Sequence, residues 1–112
     1  MANVYKNIQK TINASGSDVD MYESPSETTS IVKTIKLFNT HGSALDVTIK
    51  VFDASSTTDF EYDIANVTAS DGVDVLTFNN ILILEAGDKI KMQTTQTNVI
   101  KMTAAVLQTS RQ

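Results

Sequence analysis

Hydrophobic and polar residues alternate with a period of two along most of this chain, as expected of strands that bury one face. Leu45, Val47, Ile49 and Val51 fall on one side of the segment 45–51, with Asp46, Thr48 and Lys50 on the other. The segment 59–64 sets Phe60, Tyr62 and Ile64 against the carboxylates of Asp59, Glu61 and Asp63. Ile90 and Met92 alternate with Lys89, Lys91 and Gln93, and Ile100, Met102, Ala104 and Val106 alternate with Lys101, Thr103 and Ala105. Two further strands are expected at 30–39, where Ile31, Ile35 and Leu37 share a face interrupted by Lys33, and at 73–78, apolar on both faces. Abundant Thr and Val favour a pleated surface, and no window has helical period, so little or no helix is predicted.

Short polar and glycine-containing stretches separate these strands: Asn39 to Ser43, Asp53 to Thr58, Ser70 to Gly72 and Glu85 to Asp88. Strands recurring about every ten residues predict an all-β, antiparallel β-sandwich of jelly-roll or immunoglobulin-like type, with about seven or eight strands. Residues 1–24 differ in character. Segments 4–11 and 19–22 read as strands beside stretches rich in Ser, Thr, Asp and Glu, and Pro25 ends any ladder there. The division expected is an N-terminal arm or edge-strand segment, 1–24, and a β-sandwich domain, 25–112.

Composition narrows the chemistry. The chain has 112 residues, 41% hydrophobic and 20% charged, enough for one core and too few for two lobes around a cleft. It has no Cys and one His, which excludes disulfides, thiolate metal sites, cysteine nucleophiles and multi-histidine metal centres within a single chain. A formal net charge of −4, with the lysines scattered singly, predicts no nucleic-acid partner. The first residues carry no apolar signal region, and the run Ile81 to Leu84 is far too short for a membrane span. The protein is therefore expected in an aqueous compartment, without a membrane partner.

Candidate chemistry is thin. Asp59, Glu61 and Asp63 offer a row of carboxylates, but strand neighbours on one face sit about 7 Å apart and no calcium-loop spacing accompanies them. Asp71 to Asp74 and Gly87-Asp88 are accounted for by turn preference. His41 lies in a turn, with neither a nucleophile elbow nor a phosphate loop elsewhere. No catalytic residue, metal or cofactor is assigned. The run Ile81 to Leu84 reads either as a strand buried on both sides or as a patch that joins subunits. A glycan-binding module is a rival reading, opposed by the absence of Trp and by Phe52, Phe60, Tyr62 and Phe78 at expected core positions, which leaves Tyr5 and Tyr22 as the only platform.

The order of features from Ser26 to Val106 resembles the small β-sandwich virion proteins of tailed bacteriophages, of the type found on phages of marine bacteria and cyanobacteria. The resemblance rests on Thr29 to Ile35 leading into Asn39-Thr40, on Val47 to Asp53, and most specifically on Leu82 to Lys91 leading into a last alternating strand. It implies a non-enzymatic virion structural protein, foremost a decoration or cement protein on the outer face of the head, located on the virion after synthesis in the host bacterial cytoplasm. Neck, tail-surface and fibre-associated positions are the alternatives. The implied partners are the major capsid protein, other virion proteins and further copies of the chain, a trimer being favoured. The sequence departs from the family pattern at Phe60 to Asp63, where more neutral residues are expected, which argues against an interface on that face. The residues expected at subunit or capsid contacts are Val4, Tyr5, Ile8, Ile12, Val19, Met21 and Tyr22, from the partial amphipathicity of the segments that carry them.

Overall fold

The computed structural model describes residues 2–70 and 72–110, with side chains at all of these except 2 and 73–81. Eight strands follow one another: β1 (Ala2–Thr11), β2 (Val19–Glu23), β3 (Thr28–Asn39), β4 (Leu45–Asp53), β5 (Thr58–Val67), β6 (Gly72–Leu84), β7 (Lys89–Gln93) and β8 (Ile100–Ser110). They form two four-stranded antiparallel sheets, β1-β8-β3-β6 (sheet A) and β2-β7-β4-β5 (sheet B). The order has a simple origin. Strand pairs β1–β8, β2–β7, β3–β6 and β4–β5 are the rungs of one long antiparallel ribbon with its tip at the β4–β5 turn. Rolling that ribbon brings β3 beside β8 and β4 beside β7, which is the jelly-roll form of a β-sandwich.

Rolling puts the inward residues of both sheets in contact. Val32, Ile35, Leu37, Ile100, Met102 and Ala104 of sheet A meet Val47, Ile49, Ile90 and Met92 of sheet B in one buried cluster. The segment before residue 25 supplies one edge strand to each sheet: β1 edges sheet A and β2 edges sheet B. Ile12, Val19, Met21 and Tyr22 are core residues.

Three irregularities shift the side-chain phase and correct the simple alternation. In β3 the register slips between Val32 and Thr34, so Lys33 is the extra residue of a bulge. Val32 then shares the buried face with Ile35 and Leu37, while Ile31 points outward, contrary to the expected Ile31–Ile35–Leu37 face. In β5 the slip between Ile49 and Lys50 of its partner leaves Tyr62 extra, so Asp63 pairs with Ile49 and Glu61 with Lys50. The expected split into one apolar and one acidic face is therefore broken: Phe60, Tyr62 and Ile64 are all exposed, and only Ala65 and Val67 reach the core. In β2 the slip at Met21 lets both Met21 and Tyr22 turn inward. The faces expected of 73–78, the position of Phe78 and the reading of Asp74 lie outside the described side chains, and Asp71 lies outside the described residues.

Polar braces close the ends of the sandwich. Where β2 covers β3 and β8, the Gln108 Nε2 donates to the Tyr22 hydroxyl at 2.6 Å, and Tyr22 and Ser30 share a hydrogen bond at 2.7 Å. Ser30 and Ser24 are 2.9 Å apart, and Ser24 Oγ donates to the Thr28 carbonyl at 2.9 Å. One hydrogen per hydroxyl fixes the direction: Gln108 to Tyr22, to Ser30, to Ser24, to the carbonyl. The turn Glu85 to Asp88 carries Gly87 at φ 87°, a left-handed conformation that a side chain disfavours. Its Asp88 carboxylate accepts from Glu85 N–H at 2.9 Å and, across the fold, from Ala54 N–H at 3.0 Å. That gives the Gly-Asp pair a structural role. At the ribbon tip, the Ser55 and Ser56 hydroxyls donate to Asp53 and hold its carboxyl below the usual aspartate value.

Two outcomes test this architecture. Tyr22→Phe leaves Gln108 and Ser30 without their buried partner, so it should cost about 1–3 kcal/mol, read as a lower urea midpoint at unchanged slope. A chain lacking residues 1–24 should fail to give dispersed NMR signals, because it loses an edge strand from each sheet and four buried side chains of the core.

Candidate assembly surface

The single His and one of the three β5 carboxylates are engaged locally. His41 sits in the β3–β4 turn, where its Nδ1 accepts from Ser43 N–H at 3.1 Å and its own N–H donates to Asn39 Oδ1 at 2.8 Å. The Asn39 side chain is buried and also donates to the Ser43 and Val67 carbonyls. Asp59, one of the three β5 carboxylates, pairs with Lys91 Nζ at 3.1 Å. Among the described residues no group of three or more His, Cys, Asp or Glu is placed to hold a metal ion. Among the described residues, no helix is long and apolar enough to cross a membrane. The surface itself is the remaining candidate.

The two outer faces differ. On sheet B the lysines are matched by acids: Lys50 with Asp18 at 3.1 Å, Lys89 with Asp20 at 3.2 Å and Glu23 at 3.8 Å, and Lys91 with Asp59. The ammonium groups of Lys89 and Lys91 lie 5.5 and 4.7 Å from the ring centroid of Phe52, which is half-buried on this outer face rather than in the core. On sheet A the register lines up Tyr5, Leu107, Ile31 and Ile83 directly across all four strands. Tyr5 is 74% and Ile83 57% exposed, so the row crosses the outer face as an apolar stripe open at both ends. The two readings of Ile81 to Leu84 divide by position: Leu84 is buried, Leu82 half-buried and Ile83 exposed, with Ile81 outside the described side chains. Beyond the stripe, Gln9, Lys36, Phe38, Lys101 and Thr103 help line an open concavity of about 590 Å³.

The residues expected at contacts separate into two groups. Val4 and Tyr5 are exposed on β1, and Ile8 is half-buried against the core. Ile12, Val19, Met21 and Tyr22 are buried within this same chain and offer no surface of their own. Tyr22 is thus no glycan platform, whereas Phe60 and Tyr62, expected in the core, are exposed at 54% and 42%. Ile83 falls in the run read as a possible subunit patch, whereas Ile31 and Leu107 were missed by sequence reasoning, because the stripe residues lie far apart in the chain and meet only through strand register. The charge contrast was legible segment by segment: β1, β3 and β8 contain lysines and no carboxylate.

The chain is an eight-stranded jelly-roll sandwich whose sheet A carries an apolar outer stripe. No protein-family model and no curated protein matches the sequence. Among solved structures it is similar to a chain in the cryo-EM structure of the extra small virus virus-like particle of the giant freshwater prawn Macrobrachium rosenbergii. The TM-score is 0.55 at 14% identity, over 100% of this chain and 82% of that one. At that identity the likeness is one of fold.

The β5 edge gives a pH prediction. Partial burial, and then the neighbouring Asp63 carboxylate, push the Tyr62 phenol above its ordinary value of 10.0. The folded chain therefore holds this proton where the unfolded chain has released it. The associated stability is complete below that ordinary value and is lost as pH rises through the folded one. An NMR titration of labelled tyrosine should show Tyr62 ionising above the ordinary phenol value. Asp63→Asn should bring it down only in part, since burial is the larger cause.

Proposed function

We propose that this chain is a non-enzymatic structural protein of a virus particle, and more finely a decoration or cement protein on the outer head surface of a tailed bacteriophage. The observation that carries the reading is the jelly-roll sandwich, shared in fold with a chain of a virus-like particle. The apolar stripe on sheet A supports it, since a surface of this kind suits repeated contact with neighbouring subunits. The partners would be the major capsid protein, other virion proteins and further copies of the chain, with a trimer favoured. Of the β1 residues expected at such contacts, Val4 and Tyr5 are the exposed ones. Its location would be the virion, after synthesis in the host bacterial cytoplasm.

The work of such a protein is binding distributed over a lattice. Each contact is small, but docking on a repeating shell raises the effective concentration of the next contact, so weak pairs sum to a firm hold. A free subunit has to keep its sheet edges from pairing prematurely, and exposed Lys6 and Lys10 on β1 are suited to that. A second reading, glycan binding, is favoured by the exposure of Phe60 and Tyr62 on one edge strand.

Quantitative mass spectrometry of purified virions separates these. A copy number close to that of the major capsid protein is the expected result. A small fraction of it would move the protein to the neck or tail. Absence from the particle, with saturable quenching of tyrosine fluorescence by an oligosaccharide, would replace the structural reading with the glycan one.

A further inference from the structure

The average charge of the chain hides a strong division between its sheets. Strands β1, β3 and β8 carry Lys6, Lys10, Lys33, Lys36 and Lys101 and no carboxylate. None of these lysines takes part in an ion pair among the described residues. Sheet B carries seven carboxylates on its four strands and only three lysines, all three already paired. The excess acid is concentrated on the edge strand β5, where Glu61 and Asp63 have no ion-pair partner among the described residues. Exposed Phe60 and Ile64 lie beside them.

Unpaired cations and unpaired anions that sit on different sheets of one rigid sandwich are not brought together by refolding the chain. Such groups can be matched only by another molecule. An edge strand is a ridge, and from the two sides of the β5 ridge project Glu61, opposite Lys50, and Asp63, opposite Ile49. The concavity beside Lys36 and Lys101, with Phe38 and Lys10 in its lining, is a hollow of the opposite charge. We propose that the outer face of sheet A receives the β5 edge of a second copy of this chain, with Lys36 and Lys101 facing Glu61 and Asp63. The inference rests on the assembly reading above and specifies its self-contact.

The contact joins two different surfaces, so it is head-to-tail. Each copy that docks presents a fresh β5 edge and a fresh lysine face, and the contact closes into a ring or extends over a surface according to its rotation. Charge complementarity sets the register and speeds encounter, and the apolar side chains at the centre add dry contact. This contact reverses the expectation of no interface at Phe60 to Asp63: those residues serve as its plug. A nucleic acid is a poorer occupant of the lysine face, because it would leave Glu61 and Asp63 unmatched and face a chain of net charge −4.

The test uses the full chain in sedimentation velocity, at about 20 mM and about 500 mM salt, which screens exposed charges over very different distances. The wild type should self-associate at low salt and weaken at high salt. The double variants K36E/K101E and E61K/D63K, each keeping the circular dichroism spectrum and melting temperature of the parent, should each associate about tenfold more weakly or not at all. Mixing the two should restore association, because each then supplies the charge the other has reversed. A wild type that stays monomeric at both salts, variants that associate like the parent, or a mixture without rescue would each overturn the contact. So would retention of a labelled single-stranded homopolymer by a monomeric wild type, with loss in K36E/K101E. Salt-independent association would remove this contact and leave the assembly reading standing. Charge-dependent association of a protein absent from virions would do the reverse.

Discussion

The dry contact between the inward rows of the two sheets is the constraint on which the other features rest. Ile35, Leu37, Ile100 and Met102 from sheet A, and Val47, Ile49, Ile90 and Met92 from sheet B, are each at most 1% exposed. At roughly 25 cal/mol per Å² of apolar surface removed from water, no other interaction in so small a chain approaches this contribution. It also dictates topology. A ribbon of eight alternating strands buries its apolar face only by rolling, and rolling makes β3 and β8 the centre of one sheet and β4 and β7 the centre of the other. The four outer strands become edges.

What this contact leaves outside differs from sheet to sheet. Sheet B covers the exterior of its other strands with lysine–carboxylate pairs around Phe52 and leaves its exposed apolar and unpaired acidic side chains on the β5 edge. Sheet A leaves its lysines unmatched and lines up Tyr5, Leu107, Ile31 and Ile83 across its breadth. The bulges connect the two levels. Lys33 is lifted out of the β3 ladder, bringing its ammonium to 5.9 Å from the Tyr5 ring centroid, and Tyr62 is lifted out of the β5 ladder onto an exposed edge. Small local irregularities thus decide which side chains are available to other molecules.

The most specific stretch of sequence, Leu82 to Lys91, has a physical explanation in this fold. Leu84 closes the core, Gly87 takes the left-handed turn, and Asp88 ties that turn to Ala54 at the ribbon tip, while Ser24 and residues 87 and 88 exchange backbone hydrogen bonds. Three chain segments meet at one short turn. Such a motif marks a place where the fold is pinned.

Strand content, the two-sheet class and the turns at 39–43, 53–58 and 85–88 were all readable from alternation and turn chemistry, because each depends on neighbours in the chain. The outward turn of Ile31, the exposure of Phe60 and Ile64, the inward placement of both Met21 and Tyr22 and the stripe from Tyr5 to Ile83 were not. Each depends on strand register and on a single extra residue in a ladder, and a shift of one position exchanges the two faces of a strand. Lysine-only strands could be counted in the sequence, but their gathering onto one sheet is a product of the roll. Period-two patterning is local and survives any pairing of strands. Which faces meet, and which are left to meet another molecule, is settled only when the ribbon closes on its core.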